Sequence, residues 1–349
     1  MYLHHGYVRP LAYDLQAFDA ILSRLRYTQP PHKASQKDDA VYVFIVSCYM
    51  CARRLTLDEL EHLSGTTGPS LFAAVYAVLR RLSPRPLVVP STFLRQGRCL
   101  HHTDDTTCVV VTDIEDGSKM VCKQIDHETD GLPAYQAVVE IVVHYLLDGT
   151  GATHVAPLRS AEVSRAAIRL YYDYVPHPLR LYFGQASRTV VRGLLRGVQQ
   201  MHAQGICHRD LKGPNIHVHD DEWCMLLDVG SAGAGRTRRT VPITTISHRA
   251  PEILRAEMDG ADRAYDGFKL DIWSVGVLLA ELCLGPNPFG HVPGWATASD
   301  MFVQIEQMLP DVLTRLRVHW TTAEWTHIHR CFDPCPERRP TIHQLVQAL

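Results

Sequence analysis

The residues able to do chemistry fall in a few short stretches. The run His208-Arg209-Asp210-Leu211-Lys212-Gly213-Pro214-Asn215 puts a carboxylate, an ammonium and an amide on one polar loop. Farther along, Leu226-Leu227-Asp228-Val229-Gly230 delivers a second carboxylate from an apolar strand into a glycine turn. Upstream, Lys123 stands in the strand-like run KMVCKQI, and Glu140 is the sole acid of the apolar stretch 134–147. Phosphoryl transfer from ATP needs parts of this kind: a positioned acceptor hydroxyl, a hard cation on the phosphates and cations against the developing charge. An accidental surface loop rarely produces eight such ordered positions.

Holding these groups requires a small sheet and several helices. CVVVTD from Cys108 and KMVCKQI from Lys119 are separated by Glu115-Asp116-Gly117-Ser118, which predicts a hairpin. Residues 134–147 read as a helix, and 167–175 as a strand that Pro176 and Pro178 stop. Val191, Leu194, Leu195, Val198 and Met201 repeat at helical steps up to Gly205, a suitable C-cap. Residues 272–284 are apolar almost all round apart from Ser274 and Glu281, as suits a helix at the centre of a domain.

From about Val121 to Arg339 these motifs together resemble the eukaryotic protein kinase family. The resemblance implies an α+β, two-lobed fold: a small β-rich lobe over 91–175, a larger α-helical lobe over 176–349, and ATP in the cleft, with Mg2+ as the metal. Asp210 would orient the acceptor hydroxyl and receive its proton, with Lys212 beside the transferred phosphoryl group. Asn215 and Asp228 would ligate the metal, and Lys123, paired with Glu140, would reach the nucleotide phosphates. A lysine at position 212 resembles serine/threonine kinases rather than tyrosine kinases. In Tyr172-Asp173-Tyr174-Val175, backbone groups of Asp173 and Val175 would bind adenine and Tyr172 would close the back of the pocket. Glu252 of Ala250-Pro251-Glu252 would pair with Arg339, and Asp271 would hold the backbone of the catalytic loop. Thr245 would contact Asp210, while Thr237, Thr240 or Thr244 could accept a regulatory phosphate, that on Thr237 or Thr240 paired with Arg209.

Two departures stand out. Where the family has a glycine-rich nucleotide-covering loop, this chain offers only Gly97 before Arg98-Cys99-Leu100-His101-His102, and Val229 replaces the family's phenylalanine. They motivate an alternative, a pseudokinase acting as a binding or scaffolding module. A small-molecule phosphotransferase is disfavoured by Lys212 and the Ala-Pro-Glu segment. The compact C-terminal lobe, reduced glycine loop and Val229 also resemble divergent kinases of large DNA viruses such as herpesviruses.

The bulk properties agree with such a reading. A chain of 349 residues, 46% hydrophobic and 21% charged, can bury a substantial core. Its 35 basic and 37 acidic residues nearly cancel, so nucleic acid and membrane surfaces are not indicated as partners, leaving ATP and proteins with serine or threonine acceptors. Ten scattered cysteines and no signal-like opening predict an intracellular protein, in cytoplasm or nucleus. Residues 1–90 form an N-terminal extension expected to be helical, bounded by Ser83-Pro84-Arg85-Pro86. Within it Cys48 and Cys51 read as buried thiols rather than as half a zinc site, since no second pair follows.

Overall fold

The computed structural model describes residues from Leu94 to the end, apart from 104–105, 115, 127–135, 138–139, 141–142, 145–146, 148–149, 164–166, 220–222, 235, 238–244 and 261–264. The N-terminal extension with Cys48 and Cys51, and Thr240 and Thr244, therefore lie outside the described residues. The chain divides into two compact units, one reaching Gly151 and including Ala156–Tyr174, the other formed by Ala152–Val155 and Val175–Leu349.

The described part of the first unit contains a five-stranded antiparallel sheet. Its strands are β1 (Leu94–His102), β2 (Thr106–Asp113), β3 (Lys119–Asp126), β4 (Leu158–Val163) and β5 (Ala167–Asp173), in the order β1-β2-β3-β5-β4. The hairpin between β2 and β3 turns where its sequence predicts. Gly117 adopts a φ of 72°, and the Asp116 carboxylate accepts from the Ser118 amide at 2.7 Å. Alternation buries Val109, Val111, Cys122 and Tyr171 on one face, with Leu94 and Met120 packed against them. Strand β1 covers the segment read from sequence as a nucleotide-covering loop with only Gly97 to offer. Gly97 instead lies inside the strand beside a register shift, and a Cβ there would meet the Val110 carbonyl oxygen at 3.0 Å. Within 134–147, the described residues Ala137, Glu140, Val143, His144 and Leu147 are helical and buried, at the spacing of a single helix face.

In the second unit, α1 (Arg188–Ala203) begins at Ser187, whose side chain accepts from the Val190 amide, and ends before Gly205 at φ 74°. Its buried stripe includes Val191, Leu194, Leu195, Val198 and Met201. Gly193 in this stripe allows close approach, because a Cβ there would lie 2.9 Å from that of Cys224. Short strands flank this helix: β6 (His177–Pro178), which precedes α1, β8 (Ile216–Val218) and β9 (Cys224–Leu226) form one sheet, while β7 (Ile206–Cys207) pairs with β10 (Gly233–Ala234).

Helix α2 (Pro251–Met258) carries Glu252, and α3 (Gly267–Leu284) is the buried helix read from its apolar composition. The Asp266 carboxylate caps α3 by accepting from the amides of Phe268 and Lys269. Three further helices, α4 (Ala298–Arg317), α5 (Thr322–Ile328) and α6 (Ile342–Ala348), each open with a reciprocal capping box built on Thr297, Thr321 or Thr341. Among the described residues no helix is long and apolar enough to cross a membrane.

Candidate active site

In the first unit, β3 presents Lys123 opposite Leu170 of β5 and Cys108 of β2. Its ammonium donates to Glu140 Oε1, and the Tyr172 hydroxyl donates to Glu140 Oε2. The Glu140 residue is 0% exposed, so this carboxylate takes its stabilisation from protein donors rather than water. Four residues on, the buried His144 ring lies 5.5 Å from that of Tyr172, tilted by 53°.

Burial, aided by the Lys123 charge, pushes the His144 imidazole down from 6.5 to about 3. Below pH 6.5 the unfolded chain then takes up a proton that the folded one refuses. Stability from this group is complete above pH 6.5 and falls by about 1.4 kcal/mol per pH unit on acidification toward pH 3. Urea unfolding is therefore expected to show the wild type losing roughly 2 kcal/mol more than His144→Leu between pH 7 and pH 5. Identical losses in the two proteins would disprove the assignment.

Asp173 directs its carboxylate to Arg159, which donates from Nε at 2.7 Å and Nη2 at 2.6 Å, leaving recognition at this residue to its backbone. Val175, in the second unit, offers its carbonyl to His217 Nδ1 at 2.7 Å, while its amide finds no partner among the described residues. His217 had no distinguishing signal among the chain's 20 histidines.

The second unit gathers the polar loop around Asp210. Oδ1 of this carboxylate accepts from the Thr245 amide at 3.0 Å and the Thr245 hydroxyl at 2.9 Å. On the other oxygen it meets Lys212 Nζ at 2.8 Å and Asn215 Nδ2 at 3.1 Å. Lys212 also donates to the Thr245 hydroxyl at 2.8 Å, which closes the ring of contacts. Because Asn215 turns its NH2 group to Asp210, its Oδ1 is left without a partner among the described residues.

The loop's backbone is fixed from α3. Asp271 accepts from the His208 amide at 2.7 Å and the Arg209 amide at 2.8 Å, and its Oδ2 lies 2.8 Å from His202 Nε2. These bonds hold Arg209 at φ 68°, a left-handed conformation costing on the order of 1–3 kcal/mol outside glycine. Asp228 adopts φ 53° at the start of the buried turn Val229–Ser231. Its neighbour Leu227 donates its amide to Asn215 O at 2.8 Å and accepts at its own carbonyl from His208 Nε2 at 3.0 Å. Arg209 Nε is buried and finds no hydrogen-bond partner among the described residues. Of the threonines considered as partners for a phosphate, only the backbone of Thr237 is described.

A family model described as "Protein kinase domain" matches residues 105–349. The chain belongs to the protein kinase family. Similarity to the mouse phosphorylase b kinase gamma catalytic chain, liver/testis isoform, is 27% identity over 300 residues, covering 77% of this chain and 70% of that protein. Yeast serine/threonine-protein kinase PSK1 is 26% identical over 160 residues, 46% of this chain and 10% of its own length. The mouse PAS domain-containing serine/threonine-protein kinase reaches 32% over 163 residues, 45% of this chain and 10% of its own. The kinase domain thus combines an N-terminal antiparallel sheet with a helical C-terminal part, as its α+β reading anticipated. Its replacement of phenylalanine by Val229 leaves that side chain fully buried, so the smaller residue is accommodated by packing rather than turned to solvent.

Proposed function

We propose that this kinase domain transfers the γ-phosphate of ATP to serine and threonine hydroxyls of protein substrates. The observation that carries the reading is the Asp210 carboxylate, held at both oxygens by Thr245, Lys212 and Asn215. A carboxylate so oriented can align an acceptor hydroxyl and take its proton. Lys212 places a cation beside the transferred group, and Lys123, aligned by Glu140, binds the nucleotide phosphates. The amide of Val175 and the backbone of Asp173 supply directional bonds for adenine.

Asn215 Oδ1 and the Asp228 carboxylate would hold Mg2+, since both are hard oxygen donors and the amide's nitrogen is already committed to Asp210. Bound there, the ion would neutralise charge on the phosphates. Gly97 would contribute less than a glycine-rich loop, because it lies within β1.

Incubation with Mg-ATP labelled in the γ-phosphate and generic protein substrates, followed by phosphoamino acid analysis, tests the reading. Label on serine and threonine is the expected result, and label on tyrosine alone would refute the acceptor class. The glycine-poor β1–β2 hairpin favours one rival, a pseudokinase module. Its signature would be Mg-ATP raising the melting temperature without any transfer, as ligand binding to the native state does.

A further inference from the structure

Glu140 poses a problem that Lys123 solves only in part. A carboxylate at 0% exposure must satisfy two oxygens, and the ammonium occupies Oε1. The second oxygen accepts from the hydroxyl of Tyr172, a residue of β5 and so of a different element.

Tyr172 is well placed to act as a fixed point. It pairs with Val121 of β3 on one side and Leu158 of β4 on the other, and only 9% of its surface is exposed. Its ring packs beside His144, four residues after Glu140. A side chain held this way loses little freedom when its hydroxyl donates, so the bond orients the carboxylate at small entropic cost.

We propose that Tyr172 is a positioning residue for nucleotide binding: its hydroxyl holds Glu140 Oε2, which keeps Oε1 on Lys123 and Lys123 aimed at the phosphates. The inference rests on the reading of Lys123 as the phosphate-binding lysine. It assigns Tyr172 a role beyond closing the back of a pocket. The sheet itself, through β5, sets the carboxylate that the lysine needs.

A double-mutant cycle tests it, with Tyr172→Phe, Glu140→Met and their combination, and Mg-ATP affinity measured by calorimetric titration. The phenylalanine keeps the ring and its packing on His144, and thermal melts confirm that each variant is folded. Tyr172→Phe alone is expected to weaken Mg-ATP binding roughly tenfold, yet no more than about twofold in the Glu140→Met background. In kinetics the loss should fall on KM for ATP, with kcat changed less than about threefold.

Replacement of Tyr172 by 4-aminophenylalanine, which restores a donor at the para position, should recover most of the affinity. An equal loss in both backgrounds, or no loss in either, overturns the inference and leaves the functional reading standing. Should the wild type itself bind no Mg-ATP, the functional reading falls and the inference with it.

Discussion

Asp210→Asn is expected to lower phosphoryl transfer roughly 10²–10⁴-fold, the range over which a positioned general base contributes. The substitution is nearly isosteric, so the loss arises from chemistry rather than from lost volume. Every neighbour of this side chain is a donor: the amide and hydroxyl of Thr245 on one oxygen, Lys212 and Asn215 on the other. An asparagine must turn its NH2 group toward one of these pairs, forfeiting an acceptor while losing the ability to take a proton. Initial rates of label transfer from Mg-ATP, wild type against variant, measure the effect. Mg-ATP affinity should change little, because Asp210 is not among the groups assigned to the nucleotide or its metal. Equal rates would remove Asp210 from the reaction.

The second large effect concerns stability. Arg339 is 0% exposed along its side chain and makes a two-pronged pair with Glu252, at 2.8 Å through Nη1 and 2.6 Å through Nη2. It also donates to the carbonyls of Asp333 and Lys269, and its guanidinium lies 5.2 Å from the Trp273 ring centre. Glu252 is the more exposed partner, at 21%. Removing either partner leaves the other charge in poorly hydrated surroundings, and Arg339→Ala leaves a cavity as well. Breaking such a pair costs about 3–5 kcal/mol. At about 2–4 °C per kcal/mol the melting temperature of Arg339→Ala should fall by on the order of 10 °C. Glu252→Ala should cost a comparable amount, since it leaves a smaller cavity but strands the fully buried Arg339 charge. A melting temperature unchanged in both variants would contradict the account.

How far these features were legible depends on how local their causes are. The loop 208–215, the turn at Gly117 and the helices α1 and α3 each follow from residues close in sequence. The Glu140–Lys123 pair could be anticipated through the family resemblance, with Glu140 singled out as the sole acid of an apolar stretch. Strand β1 gave no such signal: all but the first of its residues are exposed, so no apolar alternation marks it. Strand β4, with the sequence LRSAEV, is short and similarly mixed. Helices α4 to α6 could have been placed, since Thr297, Thr321 and Thr341 each precede a capping acid or amide by three residues. The bond from Tyr172 to Glu140 and that from His217 to Val175 O join distant parts of the chain and depend on side-chain direction, which no spacing rule supplies.

Asp271 carries a last implication, for motion. Loops ordinarily open on their own, far more often than the domain unfolds. Here the segment bearing Asp210 hangs by two amides from the carboxylate of the most deeply buried helix, and Asp271 is only 1% exposed. To open, the loop must break both bonds and leave a buried carboxylate short of donors, which makes its opening costlier than that of a loop tied only to mobile side chains.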